Sequence, residues 1–472
     1  MHNNFTRYIL DKIKPLNKVF MVDDDRSLTY EQLPVYVQNF AARIESKFGP
    51  GDRVVILMDD CVEWPVAFLS IIALGGCPVL TSVSLEPEAI DNIIKLSGAK
   101  LVITSLSNSY PVPTIRKDEI FTAPASQFDK YYNWHPDENC WWYLTSGTTG
   151  DPKCMVHRHQ NLFNITEQVH FNALRMTKDS VVMATPKLQF AYGFVVSLST
   201  LYTGATHILS AGKPAPSKLF KKLNDHKVTN FFTTVYVLNS ILKHKQGEVF
   251  PPTVNYLVSS GEALPDSLTI NFQKQFKIPI IDMLGMAELG QTYCIQDFDN
   301  PEFGTIGRPI PGVEFEVRNE DGTVVQPGEV GELYVKSKSM ATFYWKNWQK
   351  TKDTFYGPWL RTGDCVAQLP SGNYKFVSRA NGGFKINNEY ITPTEIESVI
   401  LDNEEILDCM VVFKNTEVGE IHAHVVTKNS REVDLKTYLK LKLPAYKIPK
   451  YFHFSNELPT TVTGKKLRRA FG

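Results

Sequence analysis

The stretch YLTSGTTGDPKC, residues 143–154, gathers the hydroxyls of Thr145, Ser146, Thr148 and Thr149, the glycines Gly147 and Gly150, and Lys153. These are ingredients for holding a polyphosphate: glycines let the backbone approach closely, hydroxyls donate, and the lysine supplies charge. It is not a Walker A loop, because nothing fits G-x-x-x-x-G-K-[ST]. The same composition also makes ordinary linkers. Three further stretches follow apolar runs: LVSS leads into GEALP (261–265), IIDM into LGMAE (284–288), and VVMAT into PKLQFAYGF (186–194). Open parallel sheets bind ligands outside the carboxyl ends of their strands, so three such loops point to one shared site. Taken singly, each is ordinary strand-to-helix turn chemistry.

The elements that must position these loops are legible as alternation. RVVILM (53–58), CPVLTSV and KLVITS read as strands, with VEWPVAFLSIIAL (62–74) and PEAIDNIIKLSG as helices. SVVMAT (180–185), THILS, TNFFTT, NYLVSSG and IPIIDML continue the strands, with SKLFKKLNDH and DSLTINFQKQF as helices between them. This pattern implies βαβ units and more than one largely parallel sheet. From about 303 the texture becomes period-two, and Asp321-Gly322 is a good hairpin turn, so a small antiparallel, barrel-like subdomain is expected over about 303–378. ITPTEIESVILDN then opens a compact α+β unit with strands CMVVFK and IHAHVVTK and a helix over about 435–443. The expected fold class is therefore α/β: a core over 1–379 of mostly parallel sheets with helices, followed by a small mobile α+β domain over 380–472.

The 472 residues are long enough for such a core plus an appendage. Fifty basic residues balance fifty acidic ones, so no charge excess argues for nucleic acid or an anionic membrane. Seven scattered cysteines without C-x-x-C spacing argue against a disulfide framework or zinc and fit a reducing cytoplasm. The uncharged run 66–85 is long enough to consider as a membrane span, yet Gly75, Gly76 and Pro78 break it. It reads as a buried helix, a turn and a buried strand.

YLTSGTTGDPK, SSGEALP, LGMAE, WLRTGD (359–364), SRANGGFK (378–385) and LPTTVTGKKLR (458–468) occur in the order found in acyl-adenylate-forming enzymes, and the chain resembles that superfamily along nearly its whole length. Within it, KLQFAYGF and YWKNWQKTKDTFYGPWLRTGD look most like benzoate-type aryl-CoA ligases. The resemblance implies an ATP-dependent acid–thiol ligase that forms acyl-AMP and then a thioester, with ATP, Mg²⁺ and CoA. It also implies roles. Thr145, Ser146, Gly147, Thr148, Thr149, Gly150 and Lys153 would hold the β- and γ-phosphates, and Glu288 the metal. Gly261, Glu262 and Ala263 would line the adenine, with Asp282 accepting from its amino group and Leu284, Gly285 and Met286 beside it. Asp364 would take the ribose hydroxyls with Arg379 next to it. Lys465, directly after the glycine of TGKKL, would enter from the small domain as the catalytic lysine, in preference to Lys466. Phe190, Ala191, Tyr192 and Gly193 would wall the acid pocket and Gly285 would floor it. No charged residue stands placed for a substrate amine, so a simple carboxylic acid, aromatic by the subgroup, is expected.

The departures matter as much. Cys154 stands where the family has glycine, as a tolerated small residue or as a reactive thiol; Ala287 replaces a threonine before Glu288. Asn381 and Gly382 stand at the hinge, and Asn388 replaces a glycine of the thiol tunnel. That last change brings in a second acceptor, the phosphopantetheine arm of an acyl carrier protein, for which the basic stretch KTYLKLKLPAYKIPK is a suitable flank. A degenerate member that binds nucleotide or acyl groups without turnover is the alternative outside catalysis, and an adenylate oxidase another. A monomer or homodimer is expected.

Overall fold

The computed structural model describes residues 3–146, 152–169, 173–212, 215–244, 247–380, 384–386, 389–391, 393–414, 420–428, 433–460 and 466–471. Two large sheets organise the first three-quarters of the chain. One has seven strands in the order Phe343–Tyr344, Pro152–Arg158, Asn139–Ser146, Cys77–Leu80, Arg53–Leu57, Leu101–Thr104, Thr114–Arg116. The other has nine: Arg308–Pro309, Gln291–Ile295, Ile280–Met286, Tyr256–Ser260, Asn230–Thr233, Val181–Ala184, Thr206–Ile208, Val19–Val22, Ser27–Thr29. Pairing through the middle of both is parallel; antiparallel strands close both edges of the nine-stranded sheet and one edge of the seven-stranded sheet, whose other edge, Thr114–Arg116, pairs parallel.

The apolar runs form the strands because both of their faces are covered. Cys77–Leu80, Leu101–Thr104 and Asn230–Thr233 are buried at every position, which is why they read as continuous rather than alternating patterns. Helix Glu63–Ala73 is likewise buried along its whole length, so it is apolar all round. Gly75, at φ +84°, then turns the chain into strand Cys77–Leu80. The expected helix, turn and strand of 66–85 are thus borne out. Among the described residues no helix is long and apolar enough to cross a membrane.

A five-stranded antiparallel sheet follows, built from Val313–Arg318, Val330–Ser337, Trp359–Gln368, Phe355–Tyr356 and Tyr374–Arg379. Its first hairpin differs from expectation. The chain does turn at Asp321-Gly322, with Gly322 at φ +89° and Arg318 bridged to Val324, but the long partner of Val313–Arg318 begins only at Val330. Glu329 and Gly328 continue the connection, and Gly328 N donates to Gln368 O instead of to that partner.

The C-terminal unit has helix Pro393–Leu401 against a three-stranded sheet. There Ile406–Lys414 pairs antiparallel with Glu420–Thr427, which pairs parallel with Tyr451–Phe454. The helix also packs on Asp266–Phe276 of the preceding part of the chain. Helix Leu435–Lys440 is shorter than the expected 435–443.

Candidate active site

Strands Tyr256–Ser260 and Ile280–Met286 lie side by side, with Ser259 opposite Asp282, so the stretches after them leave the sheet together. Gly261 follows at φ +94°, a conformation that L side chains rarely adopt, and a Cβ there would meet nothing within 4 Å. The backbone here is open to an incoming ring. Glu262 and Leu284 are half-buried, whereas Ala263 and Gly285 are exposed.

Asp282 is buried; Met283 N donates to its Oδ1 at 3.0 Å. Burial pushes its carboxyl up to about 7, because the charged form loses water and gains only that bond. A group so placed is well suited to a hydrogen bond with an uncharged polar edge.

The strand reverses after Met286 into Gln291–Ile295, and the turn carries Ala287 and Glu288. Three contacts from other elements hold this turn. His157 Nε2 donates to Ala287 O at 2.8 Å. Asn161 donates to His157 Nδ1 at 3.0 Å, and Trp141 stacks on the ring at 4.1 Å. Burial drives His157 down to about 3, so it is a neutral structural donor. Ala341 N donates to Glu288 O at 2.8 Å, and Tyr344 Oη donates to Glu288 Oε1.

Tyr344 in turn sits on a strand paired with Met155 and Val156, which ties the turn to the strand bearing Lys153 and Cys154. Lys153 is half-buried and lies opposite Thr145 in the hairpin register. Gly147, Thr148, Thr149 and Gly150, with the side chains of Thr145 and Ser146, lie outside the described residues. Cys154 is buried against the core and its thiol is pushed up to about 12 by burial, which favours the tolerated-residue reading over the reactive thiol.

Asp364, on Trp359–Gln368, accepts from Arg379 Nη1 at 2.5 Å and from Tyr293 Oη at 3.4 Å. Tyr293 belongs to the strand after Glu288, so this pair and the Glu288 turn share one rim. The Glu288 carboxylate also contributes to the field at Arg379. On the other flank Phe190 caps helix Ala191–Thr203, and Tyr192 Oη donates to Val258 O at 3.1 Å, one strand from Asp282. Gly193 is also required by packing: a Cβ there would lie 2.2 Å from Lys187 O, so this glycine lets the helix pack on the preceding backbone.

Hydrogen bonds and strand pairing thus tie Tyr192, Asp282, Glu288, Asp364 and Arg379 to neighbouring elements, and Lys153 is linked to them through the pairing of its strand with that of Tyr344. Lys465, Asn381 and Asn388 lie outside the described residues. Lys466 is described, and its ammonium is engaged by Asp408 at 2.7 Å. Sequence reasoning missed Tyr344, Tyr293 and His157. YWKNW carries no charge spacing that singles out Tyr344, and the other two look like core.

The donor set fits a nucleotide with magnesium. Glu288 keeps a second carboxylate oxygen beyond its bond to Tyr344, and among the described residues no group of three or more His, Cys, Asp or Glu is poised to cage a metal. One hard carboxylate is what a cation retaining most of its waters requires.

The AMP-binding enzyme family model matches residues 12–345, and that of the AMP-binding enzyme C-terminal domain matches 395–465. A benzoate–CoA ligase of Thauera aromatica is 30% identical over 96% of this chain and 93% of its own. The crystal structure of a benzoate CoA ligase from Burkholderia xenovorans LB400 superposes with a TM-score of 0.89 at 30% identity, covering 99% of each chain. The o-succinylbenzoate coenzyme A synthetase of Bacillus subtilis, solved with ATP and magnesium ion, has the same fold: TM-score 0.86, 23% identity, 98% of each chain. With two family models in chain order and relatives matched end to end, this chain belongs to the AMP-binding enzyme family.

Proposed function

We propose that the protein is an AMP-forming aryl acid–CoA ligase. The observation that carries this reading is the convergence of Asp282, Glu288 and the Asp364–Arg379 pair on one rim at the carboxyl ends of the nine-stranded sheet. Its benzoate-type subgroup rests on the relatives just described.

In the first half-reaction an oxygen of the acid attacks the α-phosphorus of ATP; the O–P bond forms and the bond to pyrophosphate breaks. An aryl carboxylate is deprotonated at neutral pH, so no general base is needed. The protein must bring two anions together and offset their charge. Magnesium, when bound, neutralises phosphate oxygens. Glu288 would hold it, with its carboxylate oriented by Tyr344. Lys153 and the hydroxyl loop 145–150 take the terminal phosphates. Asp282 meets the adenine edge, Gly261 to Ala263 with Leu284 to Met286 lie along the ring, and Asp364, steadied by Arg379, accepts from the ribose. Phe190, Ala191 and Tyr192 present flat and small surfaces to an aromatic acid over Gly285.

The C-terminal unit, which we place at 380–472 with the hinge at Asn381, brings Lys465 to the α-phosphate and carboxylate. In the second half-reaction the CoA sulfur attacks the acyl carbon and AMP leaves. CoA is placed ahead of a carrier-protein arm because the relatives that match end to end are named CoA ligases. Asn388 borders the thiol path in this reading.

Mass spectrometry of products from purified protein, Mg-ATP and a panel of aryl and aliphatic acids, with and without CoA, tests it. Benzoyl-type CoA thioesters are expected, formed with AMP and pyrophosphate. Acyl-AMP that accumulates despite CoA would overturn the CoA assignment, and turnover confined to aliphatic acids would overturn the aryl one.

A further inference from the structure

Strand Ile406–Lys414 is an edge: its sheet runs Ile406–Lys414, Glu420–Thr427, Tyr451–Phe454 and stops. An edge strand leaves backbone donors and acceptors that need partners. Among the described residues no further strand supplies them. Lys466 Nζ donates to Cys409 O at 2.6 Å and Arg468 Nη1 to Val411 O at 2.6 Å. Glu397, from helix Pro393–Leu401, accepts from Val411 N at 2.6 Å.

The same side chains are paired with one another. Arg468 forms a two-pronged bond to Glu397, with Nη2 to Oε2 at 2.8 Å and Nη1 to Oε1, and Lys466 meets Asp408 at 2.7 Å. The Glu397 side chain is only 8% exposed. Just before them the chain is fastened again: Thr460 bridges antiparallel to Lys466, and Leu467 N donates to Pro459 O at 2.9 Å. Residues 461–465, Lys465 among them, lie outside the described residues; Thr460 and Lys466 on either side of them are fixed by these contacts.

We infer that Glu397, Asp408, Lys466 and Arg468 form a positioning clamp that holds the residues directly after Lys465 against the edge of strand Ile406–Lys414. This inference rests on the proposed adenylating role of Lys465. A lysine on a four-carbon stem is a mobile point charge, so its placement depends on how firmly its backbone is held. Misplacing a reacting group by about 1 Å costs about 100-fold in rate. Arg468 is suited to this duty because its planar fork engages both oxygens of Glu397 and still reaches the Val411 carbonyl, which a lysine cannot copy. Glu262 of the adenine-lining stretch adds to the field at the Arg468 guanidinium, and helix Pro393–Leu401 packs on Asp266–Phe276. The clamp thus stands beside the nucleotide rim, with Arg468 acting through Lys465 and touching no substrate.

The test separates the two half-reactions. Acid-dependent pyrophosphate exchange reads adenylation, and thioester formation from supplied benzoyl-AMP and CoA reads transfer. Arg468→Ala, Arg468→Lys and Glu397→Gln are compared with Lys465→Ala, with the melting temperature of each recorded. Glu397→Gln keeps size and an acceptor for Val411 N, so it removes the charge pair with least risk to the fold. Adenylation is expected to fall about 10- to 100-fold in Arg468→Ala, Arg468→Lys and Glu397→Gln, with transfer within about 3-fold of the parent. If Lys465→Ala abolishes adenylation while the clamp variants keep it, or lose both half-reactions equally, the clamp is overturned alone. If Lys465→Ala adenylates at the parent rate, the role of Lys465 falls and the clamp falls with it.

Discussion

Tyr344 and Glu288 are joined by a hydrogen bond in which the phenol donates to one carboxylate oxygen, and the other oxygen is the one proposed above to meet a metal. Burial, reinforced by the Glu288 carboxylate, drives the Tyr344 phenol far above its usual range, so it stays protonated and remains a donor at any working pH. Tyr344→Phe removes the donor without changing the ring. We expect the Mg²⁺ concentration for half-maximal adenylation to rise about 10-fold, as for other partners that orient a metal ligand. Pyrophosphate release measured against Mg²⁺ at saturating ATP checks this, and an unchanged curve would count against Tyr344 as the orienting group.

Asp282 gives the ligand-free protein a pH signature. Its carboxyl stands at about 7 against a usual 3.8, so the folded chain holds a proton that the unfolded chain has lost. That stabilises the fold fully below about pH 4, and the contribution is lost as pH rises through 7. Asp282→Asn should therefore raise the melting temperature at pH 8 and leave it unchanged at pH 4. The gain is bounded by about 4 kcal/mol. Asp60, pushed up to about 6 mainly by burial, acts in the same direction, so a shallower decline near pH 6 should survive the substitution. Calorimetry across pH 4–8 decides; a slope near pH 7 that persists in Asp282→Asn would refute the assignment.

Arg379 offers a contrast between stability and binding. Its side chain is 63% exposed while that of Asp364 is 10% exposed. An ion pair with one partner in water is worth at most about 1 kcal/mol to the fold. Arg379→Ala should lower the melting temperature only slightly. Yet Asp364 would lose its ion-pair contact with Arg379, and the KM for ATP should rise about 10-fold. Steady-state kinetics beside a thermal melt reads both numbers. A large loss of stability with an unchanged KM would reverse the interpretation.

The cysteines should separate by accessibility. Cys154 is 1% exposed and its thiol is held near 12, so almost no thiolate exists at pH 7.5. Cys365 is the half-exposed member of the seven. Brief iodoacetamide treatment followed by peptide mass mapping should label Cys365 first and leave Cys154 intact. Labelling of Cys154 with parallel loss of adenylation would restore the reactive-thiol idea.

Much of this molecule is legible in its amino-acid sequence. Strands such as 230–233 announce themselves because burial on both faces demands unbroken apolar runs. The site loops stand out because glycine, hydroxyl and carboxylate types cluster where such runs end. What stays hidden depends on distant partners. Val19–Val22 joins the nine-stranded sheet beside Thr206–Ile208, a pairing that no local pattern encodes. Tyr451–Phe454 alternates exposed and half-buried positions, too polar a signal to claim a parallel strand. Tyr344 reads as an apolar residue in an aromatic stretch, and its value lies in an oxygen that meets Glu288 across 56 residues of chain.

The close packing of Gly193 on the Lys187 carbonyl has a consequence for anyone wishing to re-engineer this enzyme. The helix that opens with Ala191 and Tyr192 has no room to move closer to that carbonyl. It cannot advance either, since Tyr192 is fastened to Val258. On the acid-pocket role proposed for 190–192, substrate range is altered by trimming or enlarging those side chains, and mutant libraries are best spent there with Gly193 left as it is.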